Sequence, residues 1–260
     1  MYEGKLLRDK LKARKICLGI FNTSSDPCIA ELLSGSGYDF MIIDAEHGAL
    51  NIETIQANIM AAKGTDTVPL VRVPANDDIF IKRVLDAGAG GVLVPQVRSR
   101  QDVQRAVRAC LYPPDGFRGF GPRRPANYER NYPEVVESAN DHIVVWVQIE
   151  HLEAIEQIEE IVQTPRLDGV IIGPGDLSAS IGVIFQKRHP KVLEAIEKVK
   201  AAAQRAGVPA GMAGLTDAQD AIEWIREGFQ FATLGTSNGL LMRASRDFIA
   251  SVTQGIEERS

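Results

Sequence analysis

Short, apolar, β-branched runs recur along the chain, each followed by a longer stretch with apolar positions every three or four residues. The runs occupy residues 16–21, 39–44, 69–74, 91–96, 142–150, 168–173, 209–214 and 231–235. Continuous apolar runs of this kind are expected of parallel strands covered by helices on both faces. The stretches between them have helical spacing. Ile52, Ile55 and Ile59 share one face of 51–63, and Val192, Leu193, Ile196 and Val199 repeat along 190–206. Several stop at glycine, as at Ala87-Gly88, Ala206-Gly207 and Glu227-Gly228, where glycine suits the left-handed residue that ends a helix.

Eight β/α repeats in 260 residues predict one closed (β/α)8 barrel, the TIM-barrel architecture, as a single domain over 1–260. A doubly wound open sheet is the rival, but it more often has fewer strands. Leu6, Leu7 and Leu11 in the basic N-terminal stretch predict a short helix over the barrel bottom, and an extended helix is expected at the C-terminal end. The rhythm breaks once, at 113–133, a segment rich in Gly, Pro, Arg and aromatics. A loop of that length in a compact domain is usually functional or an interface.

A net charge of −5 argues against a nucleic-acid-binding surface. Cys17, Cys28 and Cys110 are odd in number and widely spaced, which argues against a disulfide framework or a zinc site. Residues 1–15 are basic but lack an apolar signal core, and no run approaches the roughly 18 apolar residues of a membrane span. A cytoplasmic enzyme with no membrane or nucleic-acid partner is the expectation.

Active sites of this fold lie at the C-terminal ends of the strands. There the chain places Asp44, Glu46 and His47, then Arg72, then Gln148 and Glu150, then Gly173-Pro174-Gly175-Asp176. Glu150 and Asp176, two hard carboxylates on adjacent strands, suit Mg2+ or Mn2+ with open positions for a 2-oxo acid; alternatively they cap the helices that follow. His47 is a candidate general base, since imidazole titrates near neutrality, or else a surface histidine. Arg72 sits in an apolar strand and needs an anion there: a substrate carboxylate or enolate, or a structural pair with Asp44 or Glu46. Gly88-Ala89-Gly90-Gly91 precedes a strand and lacks a phosphate-loop lysine, so it reads as a helix stop. Lys63 and Lys82 fall in helices or loops, which argues against a Schiff-base lysine.

Taken together, Ile43-Asp44-Ala45-Glu46-His47, Val71-Arg72-Val73-Pro74, Leu85-Asp86-Ala87-Gly88, Gln148-Ile149-Glu150 and Gly173-Pro174-Gly175-Asp176-Leu177-Ser178 resemble the HpcH/HpaI aldolase family, the class II pyruvate-dependent aldolases. The resemblance runs from Gly19 to about Phe248. It implies a metal-dependent carbon–carbon lyase that cleaves or forms 4-hydroxy-2-oxo acids through a metal-bound pyruvate enolate, with Mg2+ or Mn2+, and Co2+ as a third candidate. It implies that His47 accepts a proton through a metal-bound water with Asp44 nearby, and that Arg72 stabilises the enolate. It implies that Glu150 and Asp176 bind the metal, and that Gln148, Gly175 and Asp176 contact the pyruvate moiety. Asp86 matches an aspartate that raises the basicity of the histidine. By the strand count, however, Asp86 ends a helix on the bottom rim, so that role requires a neighbouring subunit. The resemblance accordingly implies a homo-oligomer, a hexamer built as a trimer of dimers with exchanged C-terminal helices.

Gly175 stands where these aldolases commonly have alanine or serine, and Gly211-Met212-Ala213-Gly214 departs from their more apolar stretch in a region that helps select the aldehyde. The basic loop Phe117-Arg118-Gly119-Phe120-Gly121-Pro122-Arg123-Arg124 is read as packing against a neighbouring subunit, with a distal substrate carboxylate as the alternative. The rival functions are oxaloacetate decarboxylation or another enolate condensation at the same site, a non-catalytic barrel, and a phosphate-handling isomerase.

Overall fold

A computed structural model describes residues 2–258. Met1, Arg259 and Ser260, at the ends of the expected 1–260 domain, lie outside the described residues. All eight predicted runs form strands: β1 (Cys17–Asn22), β2 (Phe40–Asp44), β3 (Val68–Arg72), β4 (Gly91–Val94), β5 (Val144–Ile149), β6 (Gly169–Ile172), β7 (Ala210–Met212) and β8 (Phe231–Thr236). They pair in parallel, in sequence order, and close when β8 pairs with β1. The open-sheet alternative is thereby excluded.

Helix α1 (Gly4–Lys12) precedes the barrel. Helices α2 (Pro27–Ser34), α3 (Ile52–Ala61), α4 (Asp78–Asp86) and α5 (Arg100–Cys110) follow the first four strands. Helix α6 (Tyr132–His142) is an addition between the 113–133 break and β5, for which no element was expected. Helices α7 (Leu152–Glu156) and α8 (Ile158–Ile161) follow β5, α9 (Pro174–Ser180) and α10 (Pro190–Ala206) follow β6, and α11 (Ala218–Arg226) and α12 (Ser237–Glu257) complete the chain. The expected glycine stop after 190–206 is present: Gly207 has φ 69 and ends α10 in the left-handed region.

Alternation along the strands sorts side chains into two cores. Met41, Ile43, Val71, Val92, Val145, Val147 and Val170 face the helices. Phe40, Ile42, Val68, Leu70, Leu93, Val144, Trp146, Ile171 and Phe231 fill the barrel interior. Trp146 stacks on Phe231 with ring centroids 4.1 Å apart, and Phe40 meets Trp146 edge-on at 5.1 Å. These rings need space across the barrel, and Gly211 provides it: a Cβ there would lie 2.3 Å from the Phe231 ring.

Helix α1 covers the bottom as expected, with Leu7 and Leu11 inserted among the interior residues. Arg8 fastens it. Its Nε and Nη2 donate to Oδ1 and Oδ2 of Asp168, both at 2.7 Å, and it also reaches the carbonyls of Asp141 and Ile143.

The same alternation places Asp44, two residues after Ile42, and Arg72, two residues after Leu70, inside the barrel at its C-terminal end. Gln148 and Glu150 continue the series Val144, Trp146. Their parity turns these polar residues inward above the interior aromatics.

The extended C-terminal helix is also present. Of its described residues only Ser237 is buried, while Leu241, Met242, Phe248 and Ile249 are exposed. Among the described residues no helix is long and apolar enough to cross a membrane.

Candidate active site

The site is organised by Arg72. Its Nε donates to Asp44 Oδ1 at 2.8 Å and its Nη2 to Oδ2 at 2.6 Å, a bidentate pair between residues in register on β2 and β3. Nη1 lies 3.1 Å from Glu46 Oε2 and 3.5 Å from Gln148 Oε1. The guanidinium also covers the Phe21 ring at 4.6 Å. Both structural pairs weighed from the sequence therefore exist, Asp44 taking Nε and Nη2 while Glu46 and Gln148 share Nη1.

Asp44 has a second task. Its Oδ1 accepts from the backbone N–H groups of Glu46 at 3.2 Å and His47 at 3.3 Å. This fixes the turn that carries His47, so Asp44 acts on the histidine through the backbone and not by contact with the imidazole. His47 is exposed at the rim, and its Nε2 is 3.8 Å from Glu46 Oε2. Glu46 is half-buried, with 8% of its side chain accessible, and burial raises its pKa despite the neighbouring Arg72.

Gln148 and Glu150 are each 2% exposed. The Gln148 amide donates to Glu150 Oε2, and the backbone N–H of Gln96 donates to Oε1 at 2.7 Å. Among the described residues no lysine or arginine pairs with Glu150. Burial pushes its pKa up to about 7, with Glu46 and Asp176 adding repulsion to that rise. Gly173 permits the close approach of these groups, since a Cβ there would lie 2.9 Å from Gln148 Nε2 and 3.1 Å from Glu150 Oε2. Glu150 caps no helix, and the N-cap residues of α7 and α9 make no side-chain cap bond. Asp176 is exposed in the first turn of α9 next to Gly175, where an added side chain would meet nothing within 4 Å.

Among the described residues no three His, Cys, Asp or Glu side chains are gathered closely enough to hold a metal on protein donors alone. The donor set nevertheless fits a hard divalent ion. Mg2+ commonly takes one or two carboxylates and completes its shell with water and substrate oxygens. A buried carboxylate without a cationic partner is the kind of group such an ion would satisfy.

The remaining predicted site residue is elsewhere. Asp86 is the last residue of α4, at the bottom of the barrel, where its Oδ1 accepts from Arg118 Nη2 at 2.6 Å. Arg118, from the basic 117–124 loop, is fully buried in its side chain and also donates to the Tyr2 hydroxyl at 2.6 Å. That arginine packs within its own chain, while Phe117 and Phe120 of the same loop are exposed. Two residues at the site were not assigned roles from the sequence, Glu46 and Gln96. Glu46 stood in plain view beside His47, whereas nothing in the sequence marks Gln96.

The fold and site define an α/β-barrel protein with a recessed, acid-rich centre around one arginine, suited to a small anionic ligand. The chain belongs to the HpcH/HpaI aldolase/citrate lyase family, whose model matches residues 17–244. It is 33% identical over 236 residues to a 5-keto-4-deoxy-D-glucarate aldolase of Citrobacter koseri, covering 91% of each chain. The crystal structure of a family member from Burkholderia cenocepacia superposes with a TM-score of 0.91 at 31% identity, covering 95% of this chain and 98% of that one. The citrate synthase SbnG superposes with a TM-score of 0.87 at 33% identity, covering 96% and 98%.

Two outcomes follow from this geometry. Arg72→Ala strands Asp44 as a buried, unpaired charge and should cost about 3–5 kcal/mol of stability, measured by denaturant unfolding. The double variant Arg72→Met/Asp44→Asn should recover most of that loss; a double variant no more stable than Arg72→Ala would assign the loss to packing on Phe21. The second concerns Glu150, whose folded pKa exceeds its ordinary value of 4.5 and reaches about 7. Between these values the folded state binds more protons than the unfolded state, so metal-free stability falls as pH rises through the window. Urea midpoints across it should show a flatter slope for Glu150→Gln, and an unchanged slope would assign the dependence to other groups.

Proposed function

We propose that this protein is a class II pyruvate aldolase, forming and cleaving 4-hydroxy-2-oxo acids through the enolate of pyruvate. The observation that carries this reading is the placement of Glu150, a buried carboxylate with no cationic partner, across Gln148 from the Nη1 of Arg72. A divalent ion such as Mg2+ or Mn2+, when bound, supplies Lewis acidity at a keto oxygen. Glu150 and Asp176 are the residues that would hold it, with Gln148 orienting Glu150. Gly175 leaves open space beside Asp176 for the substrate carboxylate.

In the condensing direction a base removes a proton from the pyruvate methyl group, and the electron pair moves through the new C=C bond onto the keto oxygen. Arg72 stabilises that negative charge from a fixed position that needs no reorganisation. The methylene carbon then bonds to the aldehyde carbon, and the former aldehyde oxygen takes up a proton to become the 4-hydroxyl. Cleavage runs these steps in reverse. His47 is the proton carrier in this reading. It stands at the mouth on a turn fixed by Asp44, and imidazole exchanges protons near neutral pH.

The relatives' substrate supports the choice of pyruvate. In 5-keto-4-deoxy-D-glucarate the carboxylate, the keto carbon and the deoxy methylene form a pyruvoyl unit. Breaking the bond beyond that methylene releases pyruvate and a three-carbon aldehyde acid. We assign the same bond class to this protein and leave the identity of the aldehyde to product analysis.

Asp86 completes the reading only across a subunit boundary, because it lies at the far end of its own barrel. A homo-oligomer in which it approaches a neighbour's His47 is consistent with the exposed apolar residues of α12, which suit a subunit contact.

The deciding experiment is exchange of the pyruvate methyl protons in D2O, followed by NMR. Exchange that requires Mn2+ or Mg2+ and stops with EDTA is expected; no exchange with any divalent ion would remove the pyruvate reading. The role of Asp86 is tested by complementation. Inactive Asp86→Ala and inactive His47→Ala proteins, co-expressed, should regain part of the exchange activity if the aspartate acts between subunits. Mixed oligomers without activity would end that role.

A further inference from the structure

Gln96 follows β4 with φ 56, in the left-handed region that residues with a Cβ occupy rarely and that clusters at functional sites. It makes two contacts with the acid cluster. Its backbone N–H donates to Glu150 Oε1 at 2.7 Å, and its side-chain Nε2 donates to Glu46 Oε1 at 3.3 Å. Rotation about N–Cα sets where a side chain points relative to its own N–H. At this φ the two amides of one residue serve two carboxylates on the same rim. The anchored groups are themselves central. Glu150 Oε2 is held by Gln148, and Glu46 Oε2 lies between Arg72 and His47.

We propose that Gln96 is a positioning residue for both carboxylates: its backbone sets Glu150 in place for the metal, and its side chain sets Glu46 against Arg72 and His47. The metal half rests on the reading of Glu150 given under the proposed function. The unusual backbone is then a requirement of the site, since an ordinary φ would point one amide away from its carboxylate. Groups that orient metal-binding carboxylates commonly affect metal affinity or turnover by about 10- to 100-fold.

Two variants separate the halves. Gln96→Gly keeps the N–H and accepts the left-handed backbone while deleting the side-chain amide. Gln96→Val places a β-branched side chain where it is strongly disfavoured and should turn the N–H away from Glu150. Isothermal titration of the full-length protein with Mn2+ should give Gln96→Gly a Kd within about threefold of wild type and Gln96→Val a Kd weaker by about 10-fold or more. Turnover of Gln96→Gly should nevertheless fall by about 10-fold, which a merely structural residue would not do with metal affinity intact. A metal-free readout keeps the test independent of folding and of the metal. In NMR spectra of the wild-type protein the Gln96 amide proton should lie downfield and move upfield in Glu150→Ala. An unmoved amide, a Gln96→Val protein that binds Mn2+ like wild type, or equal loss of affinity in both variants would overturn the proposal. If wild type binds no Mn2+ but the amide moves in Glu150→Ala, the metal reading fails and the positioning of Glu150 stands.

Discussion

The bidentate pair of Arg72 with Asp44 is the constraint around which the site is built. A buried guanidinium and a buried carboxylate are each costly alone, so the two strands that carry them must stay in register. The pair also settles what its neighbours can do. With Nε and Nη2 committed to Asp44, Nη1 is left to Glu46 and Gln148. With Oδ1 also accepting two backbone N–H groups, Asp44 fixes the turn that presents His47. A second bidentate pair, Arg8 with Asp168, fastens α1 across the opposite end. The barrel is thus locked at both ends by arginine–aspartate pairs, with aromatic rings between them.

Charge balance around Arg72 explains the chemistry the site favours. Asp44 neutralises the arginine through two hydrogen bonds, leaving Glu46, Glu150 and Asp176 without a full counter-charge. Glu150 is buried and Glu46 half-buried, and burial raises the pKa of both. Such a cluster favours a bound proton or a bound cation. The divalent ion of the proposed function would offset this excess beside Arg72. Gln96 and Gln148 fit the same account, because neutral amides orient carboxylates without cancelling the charge the ion needs.

Most of the architecture was legible in the amino-acid sequence because its signal is redundant. Eight apolar runs at regular spacing need only approximate ends, and the barrel tolerates an error such as reading residues 142 and 143 into β5. Arg72 was legible because a charge inside an apolar strand has no cheap explanation. Glu150 and Asp176 were legible as acids at strand ends, but not as a pair distinct from helix caps, since that depends on which N–H groups they meet. Glu46 was legible only as a possible partner of Arg72, because its place between Arg72, His47 and Gln96 depends on the fold of its turn. Gln96 carries no sequence signal, because its role comes from a backbone dihedral that glutamine does not advertise.

The bottom of the barrel follows the same logic as the top. Asp86 is half-buried and burial raises its pKa, yet Arg118 holds one of its oxygens from a fully buried position. Gly121 stands beside the other oxygen, where even a Cβ would come within 3.1 Å. A surface aspartate with no task beyond solubility would not require a buried arginine, a tyrosine hydroxyl and a loop rich in glycine and proline to hold it. The arrangement fixes one oxygen through Arg118 and sets the other beside a glycine, so the carboxylate is held in one place at the barrel bottom. The basic loop is therefore best understood as the scaffold of Asp86. Under the proposed function, Asp86 held in this way is the carboxylate that a neighbouring subunit's histidine would meet.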